Sequence, residues 1–261
     1  MNHTESTCPL CEGRSLKIRS NVESNFFLCN ICNHNFSTPT NSLGDDFYEN
    51  TYFANNQDGV GYQSYESDGC VLQKDFYRRI RLLTSYANKS ADTLELLEIG
   101  SATGLFLEAA RKCGIKTIQG IELSKYGVHE SRRKGFTVSQ VNIDKMAGED
   151  LARHKNSHDS IVAFDVLEHV NDPKAMIEKM YSFLQPGGVI FLSTPNYDSV
   201  SRKLMGTRWI HYKKEHLHYF SVKNLRKILE EAGFHEIIIK TNYSMVHIPF
   251  IFDKLGLSLF F

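Results

Sequence analysis

The chain has 261 residues, with 30 Lys and Arg against 30 Asp and Glu, so its formal net charge at neutral pH is zero. That length exceeds one ordinary hydrophobic core and predicts a main domain of about 200 residues with a small appendage. The balanced charge excludes a global field that would draw the protein to nucleic acid or to an anionic membrane.

The first twenty residues lack the basic start and apolar run of a secretory signal, and no apolar stretch reaches the roughly 18 residues of a membrane span. A soluble, cytoplasmic protein without a transmembrane segment is the expectation. Residues 1–40 are poor in aliphatic side chains and need a staple other than their own core. Two C-x2-C knuckles, Cys8-Pro-Leu-Cys11 and Cys29-Asn-Ile-Cys32, are separated by 17 residues, the spacing of a four-cysteine zinc ribbon. Cys8, Cys11, Cys29 and Cys32 are therefore the expected ligands of a structural Zn2+. Four thiolates close the tetrahedron and leave no open position for catalysis. In a reducing compartment such pairs are metal ligands rather than disulfides, and neither sits between a strand and a helix as a redox pair would. His34 reads as an exposed loop residue beside this site. Arg14, Lys17 and Arg19 are outnumbered in residues 1–60 by Glu5, Glu12, Glu23, Asp45, Asp46, Glu49 and Asp58. This local acidity argues against nucleic acid, whose phosphates demand Lys and Arg, and for a role in protein docking or substrate covering.

Residues 41–90 read as a linker followed by an N-terminal helix. The stretch from Gly44 to Gln63 is polar and dotted with aromatics. The helix is predicted from Cys70 to Tyr86, with Leu72, Phe76, Ile80 and Leu83 on one face. Cys70 and Cys113 fall outside the metal pattern. From 91 to 261 strands alternate with helices: strands at Leu94 to Ile99, Thr117 to Glu122, Ser160 to Phe164 and Val189 to Ser193, and helices starting near Thr103, Lys125, Pro173 and Ser221. Gly187 and Gly188 mark a turn feeding a buried strand, and EIIIK after Gly233 marks a further one. This rhythm predicts an α/β fold with a parallel sheet covered by helices on both faces. Residues 195–220, rich in aromatics and His, form an insertion between a strand and a helix. The apolar tail from Ser244 to Phe261 is read as a last strand and helix in the core, a homodimer contact or a membrane-facing patch, in that order.

LELLEIGSATG combines an apolar strand, an acid at its end and a turn with Gly100 and Gly104 that opens a helix. Glycines let the backbone approach a ligand, and the helix start offers free amides. About twenty residues on, TIQGIEL places Glu122 where a carboxylate accepts hydrogen bonds from both ribose hydroxyls of an adenosine-type ligand. The Gly100 to Gly104 spacing differs from the G-x-G-x-x-G of nicotinamide dehydrogenases.

EIGSATG resembles the E/D-x-G-x-G-x-G motif of the class I S-adenosylmethionine (SAM)-dependent methyltransferases, in particular their small-molecule branches, with Ala102 in place of the middle glycine. GIELS is similar to their second motif, HDSIVAFDVLEHV to their fourth strand and following loop, and LQPGGVIFLSTPN to their fifth strand. The resemblance covers about residues 93–240. It implies a Rossmann-like, mostly parallel seven-stranded sheet, and SAM as methyl donor. It also implies a cofactor site formed by Glu98, Gly100, Ala102 and Gly104, with Glu122 as ribose ligand and Leu123 beside it. Asn142 and Ile143 would flank the adenine, and Phe164 and Asp165 would lie beside the cofactor. Asn142 stands where many relatives carry Asp. The EHLHYFS segment resembles an element that lines the acceptor side in this branch.

Methyl transfer from a sulfonium is a direct displacement, so orientation and exclusion of water carry most of the acceleration. A hydroxyl acceptor gains from a general base, and His is suited to that task. The candidates are His169 in the LEHV loop and His211, His216 and His218 in the insertion; His216 leads, with His169 and His218 behind it. The expected activity is methylation of a small-molecule acceptor, a hydroxyl of a sugar, lipid or natural-product intermediate. Two alternatives are weighed against it: an rRNA base methyltransferase, since one group joins a four-cysteine zinc module to this fold, and a non-catalytic binding protein with a vestigial cofactor fold. The acidic ribbon opposes the first, and intact Gly100, Gly104 and Glu122 oppose the second.

Overall fold

The computed structural model describes residues 4–21, 23–40 and 69–241. The linker stretch from Gly44 to Gln63, the side chains of Cys70 and Leu72, and the apolar tail with the dimer contact expected of it lie outside the described residues. Four short strands open the chain: β1 (Glu5–Thr7), β2 (Arg14–Ser20), β3 (Ser24–Cys29) and β4 (Asn35–Pro39). Then follow α1 (Gly69–Ala87), β5 (Glu95–Ile99), α2 (Leu105–Lys112), β6 (Thr117–Glu122), α3 (Lys125–Arg133), β7 (Thr137–Gln140), α4 (Gly148–His154), β8 (His158–Phe164), α5 (Pro173–Phe183) and β9 (Leu184–Ser193). The last elements are α6 (Val200–Met205), β10 (His218–Tyr219) and α7 (Val222–Glu231). The chain divides into two units, Met1–Asn41 with Thr194–Phe261, and Ser42–Ser193.

In the unit Ser42–Ser193 the strands form one parallel sheet in the order β7-β6-β5-β8-β9. Successive side chains of a strand point to opposite faces, and Leu96 and Leu97 are both fully buried, so both faces of β5 are covered. On one face Ile80 and Leu83 of α1 and Phe106, Ala109 and Ala110 of α2 pack on Leu94, Leu96 and Val162. The helix α5 starts on Pro173, and its cap Asp172 accepts a hydrogen bond from the Ala175 N–H. The chain steps outward from β5 through β6 to β7, then returns to place β8 on the other side of β5. This reversal puts the topological switch point at the carboxyl ends of β5 and β8, the usual ligand position in open α/β sheets.

Three expectations are corrected. Val189 to Ser193 is half-buried rather than buried, because β9 is the outermost strand of the described sheet and is paired on one side. The Gly187-Gly188 turn lies within β9: Leu184 pairs with His158 and Val189 with Ser160, so the residues between them loop out of the ladder. Of the seven strands expected, five are described in this sheet, and EIIIK (236–240) is not a strand. Its apolar run has no neighbouring strand to hydrogen-bond among the described residues, and alternation alone does not satisfy a strand's backbone. No helix among the described residues is long and apolar enough to cross a membrane.

In the other unit, β1 to β4 form an antiparallel meander that β10 extends, in the order β1-β2-β3-β4-β10. His218 pairs with Phe36 and Tyr219 with Asn35. Phe26 of β3 packs with Trp209 and Tyr219, and Tyr197, Met205 and Tyr212 close around them. The Arg19 guanidinium lies 4.2 Å from the ring centres of both Phe26 and Tyr212, a favourable cation–π arrangement. The N-terminal strands thus share one aromatic core with the segment 195–220.

Candidate functional site

At the tip of β5 the backbone turns sharply. Gly100, Ala102 and Gly104 all have positive φ, at 74°, 47° and 79°, in the left-handed region that costs an ordinary side chain strain. A Cβ on Gly100 would stand 2.4 Å from Val166 Cγ2, in the loop after β8. Gly104, in the same left-handed conformation, caps α2, so the helix begins at Leu105 rather than near Thr103. The turn is tied to the next strand by Gly100 N–H, which donates to the Ile121 carbonyl at 2.8 Å.

Glu122, at the tip of β6, is 8% exposed. One carboxylate oxygen accepts from the Ala102 N–H at 2.7 Å and the other from the Ser124 N–H at 2.8 Å. Leu123 follows directly in the chain. Glu98 lies next to Glu122's strand and is 5% exposed, and its Oε2 has no hydrogen-bond partner among the described residues. Burial first, and the neighbouring Glu122 carboxylate second, raise its pKa well above the usual carboxylate range.

Beyond β7, Asn142 Oδ1 accepts from the Asp144 N–H at 2.9 Å, closing a turn that buries Ile143. The Lys179 ammonium donates to the Ile143 carbonyl at 2.6 Å. After β8, Asp165 sits at φ 54°. Its N–H donates to the Ser193 carbonyl at 2.9 Å, and the Ser193 hydroxyl donates to its Oδ1 at 3.0 Å. The expected cofactor residues therefore sit at the carboxyl ends of β5, β6, β7 and β8, within one unit.

Arg79 of α1 also belongs to this end of the sheet. Its guanidinium lies 4.3 Å from the Phe164 ring centre, donates to Asp75 at 2.5 Å and reaches Ser193 Oγ at 3.5 Å. Asp75 and Arg79 are four apart on a helix and read locally as a surface pair. Only the packing of α1 reveals that the arginine covers Phe164.

Among the histidines, His169 lies in the Ser42–Ser193 unit, where its N–H donates to the Val166 carbonyl at 2.9 Å. His216 and His218 lie in the other unit, each 4% exposed. The His216 carbonyl accepts from Ser37 Oγ at 2.7 Å, and its ring stacks with that of His211. His218 Nδ1 is 3.2 Å from His34 Nε2. His34 is fully buried, not an exposed loop residue, because β10 brings His218 and Phe220 over it.

The four cysteines of the knuckles converge. Their sulfur atoms all lie within 4.8 Å of one another, with Cys8 to Cys32 at 3.6 Å and Cys11 to Cys29 at 3.5 Å. Thiolates about 2.3 Å from a tetrahedral zinc stand about 3.8 Å apart, so the set fits that ion. The amides of Leu10, Ile31 and Cys32 point at Sγ atoms of Cys8 and Cys29. Burial opposes ionisation of Cys29, yet the Cys32 and Ile31 amides outweigh it and bring its thiol down to about 6, whereas burial pushes Cys8 up to about 11. A cation at the centre is what four thiolates would share.

Residues 72–237 match a family model described as a methyltransferase domain. A ubiquinone biosynthesis O-methyltransferase from Xanthomonas campestris pv. campestris is 32% identical over 134 residues, which is 51% of this chain and 56% of the relative. Another from Actinobacillus pleuropneumoniae serotype 7 is 30% identical over 124 residues, 44% of this chain and 53% of the relative. The chain thus spans about half the length of the curated relatives it matches. Among solved structures, magnesium protoporphyrin IX methyltransferase from Synechocystis PCC 6803 with bound SAH has a TM-score of 0.54 at 17% identity, covering 73% of this chain and 87% of that one. A SAM-dependent methyltransferase from Archaeoglobus fulgidus has a TM-score of 0.51 at 19% identity, covering 69% of this chain and 82% of that one. These two likenesses concern the fold.

Gly100→Ala is expected to lower unfolding free energy by about 1–3 kcal/mol in a denaturant titration, from positive-φ strain and the contact with Val166. Adding Val166→Ala should recover only part of that loss, since the backbone strain remains. For Glu98, the native state keeps a proton that the unfolded chain releases above about pH 4.5, so its contribution to stability falls as pH rises. Glu98→Gln removes that titration, and the stability difference in the variant's favour should widen from about pH 5 to about pH 8. A constant difference across that range would show that Glu98 is ionised in the fold.

Proposed function

The chain belongs to the methyltransferase-domain family, and from that membership we propose that it moves a methyl group from SAM to a hydroxyl of a small-molecule acceptor. The enzyme is SAM-dependent. One observation carries the residue assignment: the left-handed turn at the tip of β5 and the Glu122 carboxylate at the tip of β6 meet through the Ala102 N–H. That pairing leaves a cradle of backbone beside an acidic group, suited to adenosine. In this reading Glu98, Gly100, Ala102 and Gly104 line the cofactor, and Glu122 with Leu123 holds the ribose. Asn142 and Ile143 flank the adenine, and Phe164 and Asp165 border the reacting end. Arg79 adds a cation at that end, suited to the carboxylate of the cofactor's methionine part.

Bound SAM supplies an activated methyl group on a sulfonium. The protein's share is to hold acceptor oxygen and donor in line and to keep water out. His216 is the proposed general base, taking the acceptor's hydroxyl proton as the oxygen attacks. The matched relatives are named for O-methylation, which supports a hydroxyl acceptor. The four cysteines are proposed to hold a structural Zn2+ that takes no part in the transfer.

Incubation with labelled SAM and metabolite extracts should yield a labelled small molecule; label in RNA alone, or in nothing, would overturn this assignment. Glu122→Ala should weaken SAM binding by about 1–3 kcal/mol in calorimetry, through loss of charge-assisted hydrogen bonds. His216→Ala should lower the transfer rate by a factor of about 100 to 10,000 while leaving SAM affinity in place. Equal rates in the two proteins would remove His216 from the chemistry.

A further inference from the structure

The strand that leaves the second cysteine knuckle also holds the segment bearing His216 and His218. Ser37 in β4 donates its N–H to the Leu217 carbonyl at 2.8 Å and its hydroxyl to the His216 carbonyl at 2.7 Å. One pair along, β10 lies against β4, with His218 opposite Phe36. From the far side, Asn224 in the first turn of α7 is 3% exposed and donates its side-chain amide to the carbonyl of Cys32 at 2.9 Å. The Cys29 N–H in turn donates across the knuckle to the His34 carbonyl at 3.0 Å. Two of the four cysteines are therefore hydrogen-bonded to the elements that flank residues 216–219: Cys29 to His34, directly before β4, and Cys32 to Asn224 of α7.

Little else orders the N-terminal strands. Apart from the cysteines, their buried apolar side chains are Leu10, Phe26, Phe27 and Phe36, and Phe26 is completed by Trp209 and Tyr219. A four-cysteine module of this size depends on its metal for folding. With the metal gone, the turn carrying Cys29 and Cys32 loses its staple, and β4 loses the anchor that sets its register against β10.

We propose that the four-cysteine site is a positioning element for the acceptor side of the enzyme: metal held by Cys8, Cys11, Cys29 and Cys32 sets, through Ser37 and Asn224, the placement of the His216 to Tyr219 segment. This rests on the reading of residues 195–220 as the acceptor side. Asn224 and Ser37 are positioning residues that act through this segment. Because coupling is reciprocal, a loosened segment also loosens the metal.

The full zinc-loaded chain offers an internal reporter, since its single tryptophan, Trp209, is 2% exposed in the shared aromatic core. Stripping zinc with EDTA should shift Trp209 emission to the red and increase its quenching by acrylamide, both reversed by added Zn2+. Affinity for SAM, whose proposed pocket lies within Ser42–Ser193, should change by less than about twofold. Asn224→Ala keeps all four thiolates but leaves the Cys32 carbonyl without its donor, and should speed zinc transfer to a chromogenic chelator by about tenfold. Emission that stays blue after zinc removal, zinc release unchanged in Asn224→Ala, or a purified chain that carries no zinc each overturns the proposal. Failure of the zinc-loaded chain to bind SAM would count against the pocket assignment alone and would leave the Trp209 result standing.

Discussion

The Glu122 carboxylate is the constraint from which the rest of the cofactor end follows. Its two oxygens accept amide hydrogens from Ala102 and Ser124, so one side chain ties the turn after β5 to the start of α3. A carboxylate bonded by backbone amides favours its charged form. Burial first, and the Glu122 carboxylate second, raise the pKa of Glu98 well above the usual carboxylate range. Two acids on neighbouring strands thereby sit in different surroundings: Glu122 is bonded by two backbone amides, and Glu98 is buried where its charged form is disfavoured.

The second organising feature is the joint core of the N-terminal strands and the segment 195–220. Neither has enough apolar surface to be ordered alone. Together they enclose Phe26, Trp209 and Tyr219, continue one sheet through β10, and stack Arg19 between two rings. A small metal module is commonly pictured as an appendage. Here its last strand shares hydrogen bonds with the histidine-bearing segment, so the cysteine module and that segment form one structural unit.

Much of the cofactor end was legible because its determinants are local. A strand ending in Glu98, a turn needing positive φ at Gly100 and Gly104, and Glu122 one βα step later all lie within about 25 residues, and parallel-strand periodicity brings them to the same edge. The helix starts at Lys125 and Pro173 were likewise readable, and in the structure Ser124 and Asp172 cap them. What could not be read depends on distant partners. His34 looks like a loop residue until β10, two residues long, covers it. Arg79 looks like half of a surface pair until α1 packs on β8. EIIIK has the apolar content of a strand, but content does not supply a neighbour to pair with. The cysteine pairs were legible as a metal set from spacing alone, whereas their link to Asn224 was not, since nothing in the intervening chain announces it.

His34 and His218 are 184 residues apart in the chain. The edge of β4 therefore finds its partner β10 only across a very long loop of chain. The parallel sheet of the other unit closes over shorter loops, its longest register, Leu96 with Ser160, spanning 64 residues, so its pairings cost less chain entropy than that of β4 with β10. The topology therefore favours an order in which the parallel sheet closes before β4 and β10 meet, so the histidine-bearing edge is the last part to become fixed.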